Sequence, residues 1–218
     1  MKQPIVHGTR IDRAQQIPGT WAGGTTQQIY AFPPDPPQTI ASAQFWLGTA
    51  IIQRDAAYSF FPERTRIHIP IQGNGIRLHF QAPEDVIKLN TYETYCFDGA
   101  RPVCAELVDG PIVALNFIFH ANVIVAAAIV QFDEQQLLLP ALTASEIHKN
   151  TEANRTVLQI IYVIAGTIML RVAGNPTVIL NPDDAYIVHP HTIVEHMPIL
   201  LERQESPAQF IVATAWLP

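Results

Sequence analysis

The chain has 218 residues, of which 48% are hydrophobic and 15% are charged, and this balance predicts a folded protein with a large core and excludes a disordered one. Its net charge of -6, without a basic stripe, predicts that it does not bind nucleic acid. The first ten residues, MKQPIVHGTR, lack the apolar segment of a signal peptide, and the longest apolar run, residues 123–130, is too short to cross a bilayer. We therefore expect a cytoplasmic protein with no membrane partner.

Taken in chain order, the sequence predicts short strands separated by turns. Apolar and β-branched residues alternate with period two in nine segments, at 44–52, 66–71, 75–80, 112–119, 156–164, 167–172, 177–180, 186–189 and 210–215. Segments rich in Pro, Gly, Asn and Asp lie between them and predict turns. Helices are predicted only at 83–89 and 143–151. The pattern is typical of an all-β protein.

An internal repeat predicts two domains of the same kind. Residues 64–80 and 155–172 each place a strand before a glycine turn and an alternating strand after it. Each is followed by an acidic turn, at 97–100 and 182–185, and we expect the second turn to be solvated. The arrangement predicts a bicupin, in which two tandem jelly-roll-like β-barrels pack together. Residues 1–120 would form the N-terminal barrel, and residues 121–218 would form the crossover and the C-terminal barrel.

The two cysteines do not indicate a zinc site. Cys96 and Cys104 have no second pair of ligands at a spacing typical of zinc. We expect reduced thiols, and the sequence leaves a disulfide between them open.

Arg66 and His68 form the strongest candidate for a binding site. Side chains alternate between the faces of a strand, so these two share one face and the isoleucines between them share the other. A guanidinium and an imidazole inside a small barrel could hold an anion. A structural ion pair of Arg66 with Glu63 or Asp98 is the alternative, since a buried arginine needs either a protein partner or a ligand. Other residues are expected to line the same cavity, namely Trp21, Trp46, Ser59, Phe61 and Asn116.

A second candidate site is a histidine cluster near the C-terminus. His189, His191 and Glu195 follow the H-x-H-x3-E order of the ligands in metal-binding cupins. Pro190 interrupts the strand, and Gln159 stands where a metal cupin would carry its glutamate. We expect no cofactor, and a divalent transition metal bound to this cluster is the alternative.

Six blocks in the first 120 residues resemble, in the right order, the HutD/Ves family of bacterial bicupins. They are 21–28 (WAGGTTQQ), 45–50 (FWLGTA), 57–66 (AYSFFPERTR), 71–78 (IQGNGIRL), 97–100 (FDGA) and 110–116 (GPIVALN). The chain departs from the family pattern at several polar positions, which here are Gln28, Leu47, Thr65 and Ala114. The resemblance implies a bicupin fold, a link to histidine utilisation or stress response and a small acidic ligand, with no established reaction.

Three functions remain open from the sequence. The leading one is a non-catalytic or regulatory protein that binds a small anionic metabolite through Arg66, with His68 and Asn116 as orienting donors. The second is a metal-dependent cupin enzyme, and the third is a structural or interaction scaffold whose pocket has decayed. A homodimer formed through barrel edge strands is also left open.

Overall fold

The protein is built almost entirely of β-strands. The computed structural model describes residues 8–35, 38–81, 84–139, 156–172, 175–188, 199–204 and 207–218. These ranges contain one 3-10 turn, Arg13–Gln15, and no α-helix, which confirms the all-β prediction. No helix in the described part of the chain is long and apolar enough to cross a membrane.

Nineteen strands lie within the described ranges. They are β1 (Gly8–Ile11), β2 (Ile17–Trp21), β3 (Gly24–Phe32), β4 (Phe45–Ile52), β5 (Ala56–Ala57), β6 (Arg64–Gln72), β7 (Ile76–Gln81), β8 (Glu84–Leu89), β9 (Tyr95–Asp98), β10 (Val103–Leu107), β11 (Ile112–His120), β12 (Ile124–Phe132), β13 (Gln136–Leu139), β14 (Thr156–Ala165), β15 (Ile168–Val172), β16 (Val178–Leu180), β17 (Ala185–Val188), β18 (Ile199–Arg203) and β19 (Ala208–Leu217).

The strands divide into two compact units. The N-terminal unit comprises residues 16–123, and the C-terminal unit comprises residues 124–218 together with the segment 8–15. That first segment groups with the C-terminal unit because β1 pairs with β17 along its whole length, from Gly8 opposite Val188 to Ile11 opposite Ala185.

The N-terminal unit is a sandwich of two antiparallel sheets. The first sheet has the order β2-β3-β4-β11-β6-β9, and the second has the order β5-β10-β7-β8. Ile76, Leu78 and Phe80 alternate along β7 and are buried, whereas Arg77 and His79 between them are half-buried. The apolar residues pack into the same core cluster as residues of β4 and β11. Burial of each large apolar side chain contributes about 1.5–3 kcal/mol to folding.

The C-terminal unit repeats eight of these strands in the same order. Its sheets have the orders β1-β17-β14-β19-β12 and β13-β18-β15-β16. Adding eight to each number converts β4-β11-β6-β9 into β12-β19-β14-β17, and β5-β10-β7-β8 into β13-β18-β15-β16. Ile168, Leu170 and Val172 of β15 are buried in its core, like their counterparts on β7. The chain therefore contains two copies of one eight-stranded framework.

The acidic turn of the repeat lies elsewhere than the sequence predicted. The turn at 181–184 matches residues 90–93, and not 97–100. In both turns the fourth residue's carboxylate accepts the backbone N–H of the first, at 2.7 and 2.8 Å. The third residues, Tyr92 and Asp183, have φ angles of 72° and 71°, and their N–H groups donate to carbonyls of β6 and β14.

Two further sequence predictions are corrected, and one lies outside the described residues. Residues 84–89 form strand β8 instead of a helix, because their backbone completes a ladder with β7 and Leu89 joins the core. Asp184 is only 3% exposed, so the second acidic turn is not simply solvated. The helix predicted at 143–151 lies outside the described ranges. Cys96 and Cys104 are both free thiols.

An ionic clamp fastens the first described segment to this turn. Arg10 donates to the Asp184 carboxylate from Nε at 3.1 Å and from Nη2 at 2.9 Å. The Asp183 carboxylate accepts from Tyr162 Oη at 2.9 Å and from Arg13 Nη1 at 2.6 Å. The Asp184 side chain is 4% exposed and its partner Arg10 is 39% exposed, whereas the Arg13 and Asp183 side chains are 68% and 36% exposed.

We expect the Asp184→Ala substitution to lower the free energy of unfolding by about 1–3 kcal/mol, because the Asn181 backbone N–H and the Arg10 guanidinium lose a buried carboxylate acceptor. Urea denaturation measures the change. Arg13→Ala, which breaks the exposed pair, is the control and should cost about 0.5 kcal/mol or less. Equal losses in the two variants would contradict a clamp based on Asp184.

Glu63 offers a second test of the fold. Its φ of 61° lies in the left-handed region, where a residue with a Cβ is less stable than glycine, and its side chain is exposed. We expect Glu63→Gly to raise the free energy of unfolding by about 1 kcal/mol in urea denaturation. Glu63→Ala removes the same charge but keeps the Cβ, so it should bring no gain. A gain in the alanine variant as large as in the glycine variant would show that the charge, and not the backbone, causes the strain.

Candidate functional site

The candidate site is built on two neighbouring strands of the first sheet. Arg66 and His68 lie two residues apart on β6, and Asn116 of β11 is paired with His68. All three side chains lie on the face of the sheet that contributes Ala114 to the core. They are nearly inaccessible to water, at 8%, 0% and 1% exposure. The sequence pattern therefore placed Arg66 and His68 on one face, and that face is the interior of the sandwich.

A chain of hydrogen bonds joins these groups. The amide oxygen of Asn116 accepts from Arg66 Nε at 3.0 Å and from His68 Nδ1 at 2.8 Å. Because that oxygen can only accept, His68 carries its proton on Nδ1, and its Nε2 is free to accept from Tyr58 Oη at 3.4 Å. The amide nitrogen of Asn116 donates to the carbonyl oxygen of Ala114 at 3.2 Å. Each group thus fixes the orientation of the next.

The Arg66 guanidinium has aromatic neighbours and no carboxylate. It lies 4.3 Å from the ring centroid of Tyr58 and 5.8 Å from that of Phe97. No described residue forms an ion pair with it, and neither Glu63 nor Asp98, the partners considered from the sequence, does so. Burial lowers the pKa of Arg66, and the neighbouring Tyr58 opposes this shift. An arginine nonetheless stays protonated at neutral pH, so the charge is buried.

The other titratable groups of the site are neutral. Burial and the Arg66 charge lower the pKa of His68 to about 3, against the opposing effect of its hydrogen bond with Asn116. Burial raises the pKa of Tyr58 well above its usual value, although the charge of Arg66 acts in the opposite direction. At neutral pH the cluster therefore carries one positive charge, on Arg66.

A cavity of about 120 Å³ adjoins the guanidinium. Its volume is several times the 10–15 Å³ or so that a single water needs on this measure, and below that of a pocket for a drug-sized molecule. It reaches the surface beside the exposed residues Thr20 and Ser59. Its walls are mostly apolar and aromatic, with a few polar groups: Thr20, Trp21, Thr26, Ile40, Trp46, Ala50, Tyr58, Ser59, Phe61, Arg66, Asn116 and Ile118.

Two indole rings in the cavity wall rest against glycines. A Cβ atom at Gly48 would overlap the ring of Trp46, and one at Gly23 would overlap the ring of Trp21. The Nε1 of Trp46 donates to Gln28 Oε1 at 2.8 Å. Trp21 packs edge-on against Tyr58, with 5.4 Å between the ring centroids. The missing side chains at the two glycines therefore allow the indoles to lie where they line the cavity.

The structure brings together most of the residues singled out from the sequence. Of the seven predicted ligand contacts, six line the cavity, and His68 lies behind the wall in contact with Asn116. The departures Leu47 and Thr65 are one residue from Trp46 and Arg66, so they lie on the opposite face of the sheet. Sequence reasoning missed Tyr58, whose contacts with His68 and Arg66 no local spacing could signal.

The histidine cluster predicted as the alternative metal site cannot be placed. His189, His191 and Glu195 lie outside the described residues. Among the residues that are described, no group of three His, Cys, Asp or Glu side chains could hold a metal ion.

The family model named HutD matches residues 13–205, which is most of the chain. The chain belongs to the HutD family. No curated protein matches it.

Solved structures share the fold of this HutD-family chain. HutD from Pseudomonas fluorescens SBW25 is 19% identical, with a TM-score of 0.66 over 95% of this chain and 98% of its own. A conserved protein of unknown function from Pseudomonas aeruginosa PAO1 is 16% identical, with a TM-score of 0.76 over 96% and 98%. The oxalate decarboxylase of Lactobacillus farciminis is 10% identical, with a TM-score of 0.68 over 99% and 88%. These similarities concern the fold alone and confirm the cupin-type prediction.

The depressed pKa of His68 predicts a pH dependence of stability. Unfolded histidine takes up a proton below about pH 6.5, whereas folded His68 stays neutral down to about pH 3. Between these values the unfolded state binds the extra proton, so stability is highest above pH 6.5 and falls as the pH falls. We expect the free energy of unfolding to lose up to about 1.4 kcal/mol per pH unit through this group.

Urea denaturation between pH 6 and 4.5 measures this loss. His68→Gln, which cannot titrate, should show a shallower decline, while the carboxylates titrate alike in both proteins. Parallel pH profiles in the two proteins would mean that His68 is protonated in the folded state.

Proposed function

We propose that this HutD-family protein is a non-catalytic binder of a small anionic metabolite, which it holds in the N-terminal cavity through Arg66. The guanidinium is the group that meets the anion. His68 and Asn116 act differently from the orienting donors expected from the sequence. Asn116 holds the guanidinium through its amide oxygen, and His68 fixes the orientation of Asn116.

The observation that carries this proposal is a buried guanidinium that has no carboxylate partner among the described residues. A buried cation normally costs several kcal/mol unless it is paired. Here Nε donates to Asn116, no other hydrogen bond of the guanidinium to a described residue is found, and the Arg66 side chain lines the cavity. An anion entering the cavity would supply the missing charge and accept from the guanidinium. Carboxylates suit this geometry, since a guanidinium can bind both of their oxygens.

The arrangement is pre-organised for binding. Arg66 is held from one side by Asn116 and lies over the rings of Tyr58 and Phe97, so little side-chain freedom is lost when a ligand arrives. Among the proteins that share the fold, the Lactobacillus farciminis oxalate decarboxylase was solved as a formate complex. A cytoplasmic role in histidine utilisation or stress response is the setting that family membership suggests.

Two other functions are weighed against this one. An open cavity with a charged wall favours ligand binding over a scaffold with a decayed pocket, for which a filled apolar interior is expected. A metal-dependent enzyme at His189, His191 and Glu195 would contain a stoichiometric divalent transition metal. Metal analysis of the purified protein distinguishes that alternative.

Arg66→Met tests the proposal, because it removes the charge and keeps an apolar side chain of similar length. We expect formate, acetate and propionate at constant ionic strength to raise the thermal midpoint of the wild type, since native-state binding stabilises the fold. The variant should bind at least about tenfold more weakly, the loss expected for one charge-assisted hydrogen bond. Without ligand, the variant should melt at the same temperature as wild type or higher, because an unpaired buried charge has been removed.

Arg77→Met is the matched control. Arg77 belongs to the same unit but is partly exposed in an ion pair with Glu106 at 2.5 Å, and its side chain does not line the cavity. This variant should respond to carboxylates as the wild type does. Loss of stability in Arg66→Met, without any carboxylate effect in the wild type, would assign Arg66 a structural role and overturn the proposal.

A further inference from the structure

Strand β12 is a long edge strand with a strand neighbour on one side only in the described part of the chain. Its nine residues pair with β19, and they form the last strand of their sheet. Ile124 is 42% exposed, and Ala126 and Ala128 are exposed as well. The backbone N–H and C=O groups along such an edge can pair with a strand of another chain.

The other sheet edges in the described ranges carry features that prevent strand addition. The edge strand β2 contains Pro18, and the edge strands β5, β13 and β16 have only two to four residues. Charged residues lie on the edge strands β1, β8 and β9, namely Arg10, Asp85, Lys88 and Asp98. Residues 124–130 of β12 (IVAAAIV) include neither a charge nor a proline. Because short length, charge and proline are the usual protection of an edge, β12 is the edge that is open to pairing.

The N-terminal unit shows which kind of strand fits this edge. The counterpart of β12 there is β4, whose outer side is covered by the nine-residue strand β3. Strand β3 runs antiparallel to β4 along its whole length, and nearly all residues of β4 are buried. The C-terminal unit has the same framework, but no described strand lies in the place of β3. An antiparallel strand of similar length would continue its sheet as β3 does in the first copy.

The sequence of β12 is complementary to itself in the antiparallel direction. Two β-branched residues, three alanines and two β-branched residues follow one another from Ile124 to Val130. When two such strands pair about Ala127, each Ile124 lies opposite Val130 of the second copy, and the alanines meet in the middle. Opposed residues then have the same parity, so the exposed face of one strand continues into the exposed face of the other.

We propose that the protein is a homodimer in which β12 pairs with β12 of a second copy about a two-fold axis at Ala127. Each sheet of five strands is then extended by the five strands of the partner. The contact is isologous, so it uses up the open edge of both copies and does not lead to fibres. Cross-strand pairs of β-branched residues at both ends of the interface stabilise it. The anion site lies in the N-terminal unit, so this proposal does not rest on the proposed function.

Analytical ultracentrifugation of the full-length protein tests the dimer. We expect the wild type to sediment at twice its mass of 24.2 kDa and to dissociate on dilution. Ala126→Lys combined with Ala128→Lys places lysine opposite lysine at two positions, and it should raise the dissociation constant at least about tenfold. Val86→Lys is the matched control, because it adds a charge at an exposed apolar position of the edge strand β8 and should leave the dissociation constant unchanged.

A second double variant distinguishes charge repulsion from misfolding. Ala126→Glu combined with Ala128→Glu should also be monomeric by itself. An equimolar mixture of the lysine and glutamate variants should form heterodimers, because every lysine then lies opposite a glutamate. A mixture that stays monomeric, although both variants unfold cooperatively in urea, would overturn the inference.

Disulfide formation tests the register of the two strands. The variants carry Cys96→Ser and Cys104→Ser, so that the introduced thiol is the only one in the chain. Ala127→Cys places two thiols directly opposite each other, where the Cα atoms of an antiparallel pair are about 4.5–5.5 Å apart, and it should form a covalent dimer on mild oxidation.

Ala126→Cys is the control for this register. Its thiol lies diagonal to its own copy, with the Cα atoms about 7–8 Å apart, so it should cross-link far less. Stronger cross-linking through Ala126→Cys than through Ala127→Cys would contradict the proposed axis. A wild type that is monomeric at every concentration would overturn the dimer itself.

Discussion

A buried cation loses its hydration, and the protein has to replace that interaction. In the N-terminal unit this requirement determines how the side chains around Arg66 are arranged. Arg66 is compensated by two aromatic faces and by one amide oxygen, none of which carries a full negative charge. The amide must then be held with its oxygen towards the guanidinium, which His68 and the Ala114 carbonyl achieve from opposite ends. An aspartate in place of Asn116 would satisfy the cation internally and leave nothing for a ligand to neutralise.

The duplication shows that the framework does not need this cluster. The matching turns bring the carbonyls of Pro70 and Val163 into equivalent positions, and the strand pairing extends the match along both copies. In the C-terminal unit the positions equivalent to Arg66, His68 and Asn116 are occupied by uncharged residues: Gln159, Ile161 and Val212. Two copies with the same strand order thus differ in chemistry. Since the second copy folds around an apolar interior, the polar cluster of the first is an addition that stability alone does not explain.

The sequence predicted the features that depend on local periodicity. Period-two alternation identified β4, β6, β7, β11, β14 and β19, and it placed Arg66 and His68 on one face. It did not identify β8, whose residues were predicted to form a helix. Six residues are too few to distinguish the two-residue period of a strand from the 3.6-residue period of a helix. The role of Tyr58 was not predicted either, because its contacts join a segment before β6 to Arg66 and His68 on β6 and to Trp21 on β2. The acidic turn was misassigned because hydrogen bonds define it, and a carboxylate alone does not distinguish one turn from another.

The pairing of β1 with β17 has a consequence for the order in which the chain can fold. Residues 16–123 form a contiguous unit that holds all its strand partners by the time β11 has been synthesised. Residues 8–11 leave the ribosome earlier, yet their partner lies more than 170 residues downstream. Domains generally fold as units during synthesis, the N-terminal one first. Residues 8–11 therefore stay unpaired while residues 16–123 fold. The pairing of β1 with β17 is then one of the last steps of folding.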